Sequence, residues 1–128
     1  MNLKQKYIDK LEELDIDISK LSVQDFNKFS IVSFSDQVED ELLNVAVTFF
    51  DEDLDYEIII RRKVNVEDRL VSLEKINAYN IKYSGVAFYL EDNEIYAVRI
   101  MEKYENDIQE ILTSISSIIE IIILNDVY

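Results

Sequence analysis

NVEDRLVSLEKINAYNIKYSGVAFYLEDNEIYAVRIM, residues 65–101, is the stretch whose reading decides the fold. Asn65 stands as an N-cap, and Glu67 and Asp68 occupy the first turn, where the partial positive charge of a helix N-terminus favours acids. Val66, Leu70, Leu73 and Ile76 recur at helical spacing and predict an apolar stripe, with Val71 and Asn77 at its edges and Asn80 as the stop. Beyond Asn80 the period changes from that of a helix to that of a strand. From Lys82 to Glu91, Val86, Phe88 and Leu90 fall on one side, and Tyr83, Gly85, Ala87 and Tyr89 on the other. Asp92-Asn93 suits a two-residue hairpin turn, because both types tolerate positive φ. The returning strand, Glu94 to Met101, sets Tyr96, Val98 and Ile100 against Ile95, Ala97, Arg99 and Met101.

Upstream, Leu3, Tyr7, Leu11 and Leu14 predict a first helix capped by Asn2. Asp15 to Gln24 reads as an ordered connection with room for a helical turn near Ser22. Phe29 to Phe34 is β-branched and aromatic and predicts a strand, and Ser35 to Glu41 its turn. Leu42 to Phe50 alternates, with Leu43, Val45, Val47 and Phe49 on one face, and Tyr56 to Val64 follows as a third strand. Three strands joined by short connections imply an antiparallel meander. Downstream, Ile108, Ile111, Leu112, Ile115, Ile118, Ile119 and Ile122 make a broad stripe on a helix starting near Glu105, even though isoleucine favours strands. The expected fold is therefore a single α+β domain over residues 1–128, in the order α-β-β-β-α-β-β-α. It has an antiparallel five-stranded sheet with helices mainly on one face.

The composition restricts chemistry more than it identifies it. With 27 acidic and 13 basic residues the net charge is −14, and cutting the chain after Val64 leaves −7 on either side. Acidity so evenly spread disfavours direct contact with nucleic acid or anionic lipid and steers basic partners inward. No Cys and no His means no disulfide, thiol redox site, Cys nucleophile or His base. The N-terminal residues lack an apolar run, and Ile118 to Leu124 is far shorter than the ~20 residues of a membrane span, so a cytoplasmic protein is expected. One Gly and no Pro leave the turns to Asp, Asn and Ser.

Leu73-Glu74-Lys75-Ile76-Asn77-Ala78-Tyr79-Asn80 followed by Val86-Ala87-Phe88-Tyr89-Leu90-Glu91-Asp92-Asn93, together with the element order, size and acidity, resembles the type III secretion chaperone-like fold, including its YbjN-like bacterial branch. The resemblance implies a homodimer or a protein-binding module in which apolar patches on the sheet accept an extended segment of a partner. The near absence of Gly departs from that pattern, and no secretion role carries over.

Asp51-Glu52-Asp53-Leu54-Asp55 opens like a calcium loop, but Tyr56 replaces the Gly of the sixth position and Arg62 the Glu of the twelfth. It reads as a solvated turn. No nucleophile elbow, phosphate loop or paired acid of a glycosidase is present, so no enzyme, no cofactor and no metal are expected. Arg61-Arg62-Lys63 is the densest basic run, suited either to an acidic partner or to cross-strand pairing with local acids. Tyr83, Tyr89 and either Tyr96 or Met101 share a sheet face that helices leave open, or else pack beneath the first helix; in the first case they are partner-binding residues. Ile121, Ile123 and Leu124 lie off the main stripe of the last helix and are candidate dimer contacts. Two functions follow: a non-catalytic binding module of chaperone or adaptor type, holding a basic or apolar protein segment, or a small acidic inhibitor, such as an immunity or phage anti-defence protein, that blocks the nucleic-acid surface of a toxin or nuclease.

Overall fold

The computed structural model describes residues 3–14, 20–38, 41–50, 56–63, 69–83, 85–101 and 108–124, with Val38, Glu41, Ile100, Met101, Ile123 and Leu124 described by backbone alone. The elements run α1 (Leu3–Glu13), β1 (Ser22–Asp25), β2 (Phe29–Val38), β3 (Glu41–Phe50), β4 (Tyr56–Lys63), α2 (Arg69–Lys82), β5 (Ala87–Glu91), β6 (Glu94–Met101) and α3 (Ile108–Leu124). All strand pairs are antiparallel, and the six strands lie in the order β1-β2-β3-β4-β6-β5. The chain meanders through β1 to β4, crosses by α2 to the far edge, and returns as β6 between β5 and β4.

The α+β class and the antiparallel sheet agree with the sequence reading, but there is a sixth strand, β1, where a connection with a helical turn was expected. Ser22–Asp25 is exposed at every position, so no alternation marks it. Its strand character comes from pairing with Ser30–Ser33 of β2 and from a turn in which Phe26 N–H donates to the Phe29 carbonyl at 2.8 Å. β2 also runs on to Val38, through the polar Ser35-Asp36-Gln37 that composition alone assigned to a turn; pairing with Leu42–Asn44 of β3 outweighs their low strand propensity.

The register sorts the sheet into two faces. Val32, Phe34, Leu43, Val45, Val47, Phe49, Tyr56, Ile58, Ile60, Ile95, Ala97, Phe88 and Leu90 are buried on one of them. The helices lie on that face. Tyr7 of α1 sets its ring 5.7 Å from Phe49, Tyr79 of α2 lies 6.0 Å from Phe88, and Arg62 of β4 reaches the α3 backbone. In α3 the stripe of Ile111, Ile115, Ile118 and Ile122 is buried as its spacing predicts. Each such side chain contributes roughly 1.5–3 kcal/mol, enough to override the strand preference of isoleucine.

Helix α2 departs from its expected rotation. Leu70 and Leu73 are 67% and 42% exposed, whereas Ser72 and Ile76 are buried with Tyr79 and Tyr83 packed beside them. Two interactions that hydrophobic spacing does not register turn the helix this way: an aromatic cluster of Tyr79, Tyr83 and Phe88, and a pair of hydrogen bonds between the Asn80 carboxamide and the Phe88 backbone of β5, one donated and one accepted. The helix also continues to Lys82, past Asn80, so the strand expected from Lys82 begins only at Ala87, after a turn in which Gly85 has φ +83°. The expected cap at Asn65 and acids at Glu67 and Asp68 lie outside the described residues, as does Asp51 to Asp55. Among the described residues no helix is long and apolar enough to cross a membrane.

Candidate protein interface

The second face of the sheet is built by the alternate residues of the same strands. Its rows follow the register: Ile31, Thr48 and Glu57; Ser33, Ala46, Ile59, Val98 and Ala87; Ser35, Asn44, Arg61, Tyr96 and Tyr89. Among the described residues no helix covers it. Phe50, Leu42 and Tyr89 are exposed there, at 36%, 64% and 40%, and Ile31, Ile59, Val98 and Tyr96 are half-buried by their neighbours in the sheet.

Among the described residues the open face carries Glu57, Glu91 and Glu94 against Arg61 and Lys63, charges that nearly cancel. Depletion of charge together with aromatic enrichment is the composition that distinguishes the centre of a protein interface from ordinary surface.

Tyr89 and Tyr96 form the aromatic centre. They are cross-strand partners of the β5–β6 hairpin, with ring centroids 4.7 Å apart and planes within 5° of parallel. The hairpin aligns them through Asp92 and Asn93, whose φ angles of 49° and 63° give both turn residues the left-handed backbone that matches the strand twist. Removal from water, followed by the Tyr96 phenol and the Glu91 and Glu57 carboxylates, pushes the Tyr89 hydroxyl above its ordinary range, so Tyr89 stays uncharged at neutral pH. Beside it, Ser35, Leu42, Asn44, Arg61, Lys63 and Glu94 line a depression of about 320 Å³.

The four aromatic and methionine candidates separate. Tyr89 and Tyr96 come together on the open face. Tyr83 does not join them: its ring packs 5.9 Å from Tyr79 and 6.2 Å from Phe88 on the helix side, because the last turn of α2 holds it. Met101 pairs with Tyr56 in the register, and its side chain lies outside the described residues. Of the dimer candidates, Ile121 is half-buried against the core, while the Ile123 and Leu124 side chains lie outside the described residues.

The basic run divides by strand alternation. Arg61 points to the open face, 4.0 Å from Glu94, and Lys63 lies exposed on the same side. Arg62, only 8% exposed, turns into the core, where its Nη1 donates to the Ile122 carbonyl at 2.9 Å. That carbonyl belongs to the last turn of α3, where helix carbonyls lack intrahelical donors and carry partial negative charge. A cap contributed from the middle of a strand has no local sequence signature. The one available signal was a basic residue falling in phase with the buried positions Tyr56, Ile58 and Ile60.

At the other edge Asp25 accepts from Ser30 Oγ at 2.7 Å and from Lys4 Nζ at 2.9 Å, tying β1 to β2 and α1. These bonds, Ser30 first, hold its carboxyl below the usual carboxylate range. No group of three acidic residues that could hold a metal occurs among the described residues. No protein-family model matches the chain, and comparison with curated proteins and with solved structures finds no match.

Proposed function

We propose that this chain is a non-catalytic protein-binding module of the cytoplasm, of chaperone or adaptor type, and that its contact surface is the open face of the sheet. The observation that carries the reading is a broad apolar face, centred on the stacked Tyr89 and Tyr96, on which the described charges nearly cancel. Strands of four to ten residues, six abreast, make a face of roughly 700 Å² in projection at about 4.8 Å between strands and 3.3 Å per residue. A typical stable interface takes about 800 Å² from each partner. The occupant is a protein segment with apolar side chains for the face and basic flanks for a chain of net charge −14, whose field speeds encounter.

The second reading, an acidic inhibitor seated in the basic groove of a nuclease or toxin, is favoured by the net charge of −14. It uses a different surface, so the two readings are separable by position. A photoreactive amino acid is placed at position 89 on the open face, at position 81 on the outer side of α2, or at position 12 on α1, and each variant is irradiated in lysate of its native host. Protein adducts from position 89 that persist at high salt support the binding module. Adducts confined to position 12 that vanish with salt support the inhibitor, and adducts confined to position 81 contradict both.

A further inference from the structure

The depression on the open face follows from side-chain length and register. Ser35, Asn44 and Arg61 are neighbours across β2, β3 and β4, and Lys63 and Glu94 are neighbours across β4 and β6. Ser35 and Asn44 are short, so the surface dips between them and the longer Leu42, Arg61, Lys63 and Glu94. Its volume of about 320 Å³ lies at the small end of the roughly 300–1,000 Å³ of ligand sites, room for one side chain or one chain end. Two cations against one carboxylate leave this lining with one positive charge, on a chain of net charge −14. Glu94 does not use the cations up: Arg61 approaches it only at 4.0 Å with a side chain 43% exposed, and Lys63 makes no ion pair among the described residues. The Ser35 hydroxyl and the Asn44 carboxamide add neutral donors from the opposite wall.

We propose that this depression is a carboxylate-binding subsite, and that it takes an acidic group of the same partner segment whose apolar side chain lies on Tyr89 and Tyr96. The proposal rests on the open face being the contact surface and names a group that the face selects. A carboxylate brings one negative charge and neutralises the lining, whereas a phosphomonoester, at about −1.5 to −2, would leave it negative. The planar Arg61 guanidinium offers parallel N–H donors to the two oxygens. Lys63, two residues on and roughly 6.6 Å along the strand, supplies the second cation. Tyr96 is the cross-strand neighbour of Arg61, so the subsite adjoins the aromatic centre, one strand spacing of about 4.8 Å away. An apolar side chain on the tyrosines and a carboxylate beside it are thus read together. A C-terminal carboxylate and an Asp or Glu side chain share this chemistry.

The test titrates the ¹⁵N-labelled chain with one apolar peptide, led by lysines, in three forms: with a free C-terminal carboxylate, with that end amidated, and amidated after an added terminal glutamate. At least one of the two acidic forms is expected to bind about tenfold more tightly than the amide, the worth of one hydrogen bond to a charged group, with shifts at Ser35, Asn44 and Arg61 that the amide lacks. A gain for the free acid alone assigns the subsite to chain ends, and a gain for the glutamate form assigns it to acidic side chains. Arg61→Met and Lys63→Met are each expected to narrow the gain, and the double variant to abolish it. Equal affinity of all three forms, with shifts at Tyr89 and Tyr96, overturns the subsite and leaves the open face as the contact surface, as does a gain that the double variant keeps. No binding of any form contradicts both.

Discussion

Arg62→Met separates the three residues of the basic run by what each touches. Methionine keeps an unbranched apolar stem in the core while removing the charge-assisted hydrogen bond to the Ile122 carbonyl. Hydrogen bonds to charged groups contribute about 1.5–3 kcal/mol. The positive charge at a helix C-terminus acts in the same direction, while relief of the burial of a cation acts against it, so that range is retained as the net cost. For 128 residues the unfolding entropy is roughly 0.27 kcal/mol/K, which converts the loss to a fall in Tm of about 6–11 °C. Arg61→Met removes only a half-exposed pair at 4.0 Å and should cost no more than about 1 kcal/mol, and Lys63→Met less. Thermal and urea denaturation followed by far-ultraviolet circular dichroism gives all three values. A Tm for Arg62→Met within about 2 °C of wild type, or an equal loss for Arg61→Met, would refute the division of the run into one core cap and two surface cations.

Tyr7 is fully buried, its hydroxyl finds no hydrogen-bond partner among the described residues, and burial raises its pKa above the ordinary tyrosine value. Tyr7→Phe should therefore stabilise the fold, by about 1 kcal/mol in urea denaturation, since an unsatisfied buried polar group is costly. The folded chain holds this proton more tightly than the unfolded chain does, so the stability is intact below pH ~10 and is lost as pH rises above it. The loss approaches ~1.4 kcal/mol per pH unit, and this component should be missing from Tyr7→Phe. At the hairpin, Asn93→Val forces a β-branched residue into φ 63° and should cost about 1–2 kcal/mol, whereas Asn93→Gly should leave stability at or above wild type.

The elements that could be read in advance are those whose apolar residues are buried by one continuous partner. Alternation in β3 and the isoleucine stripe of α3 gave their faces correctly, because each packs its whole length into the core. The hairpin turn was legible because Asp92-Asn93 carries its own backbone preference. Helix α2 misled, since it lies over one edge of the sheet and is oriented by an amide and three aromatic rings, while Leu70 and Leu73 remain outside. Strand β1 was illegible for a related reason: an exposed edge strand needs only backbone pairing, and Ser22–Asp25 shows no pattern that pairing requires. The candidate interface was half legible. Alternation offered Tyr89 with either Tyr96 or Met101, and only the register of β5 against β6 joins Tyr89 to Tyr96, while the last turn of α2 holds Tyr83 on the opposite side.

The most direct test of the open face is a nuclear magnetic resonance titration of the ¹⁵N-labelled chain with a synthetic apolar peptide flanked by lysines, at low and at high salt. The proposed binding mode predicts saturable shifts for Ile31, Ala46, Ile59, Tyr89, Tyr96 and Val98 that persist at high salt, and their loss in Tyr89→Ser/Tyr96→Ser. Shifts confined to Glu12, Glu13, Glu110 and Glu120 on the helices, vanishing with salt, would contradict it.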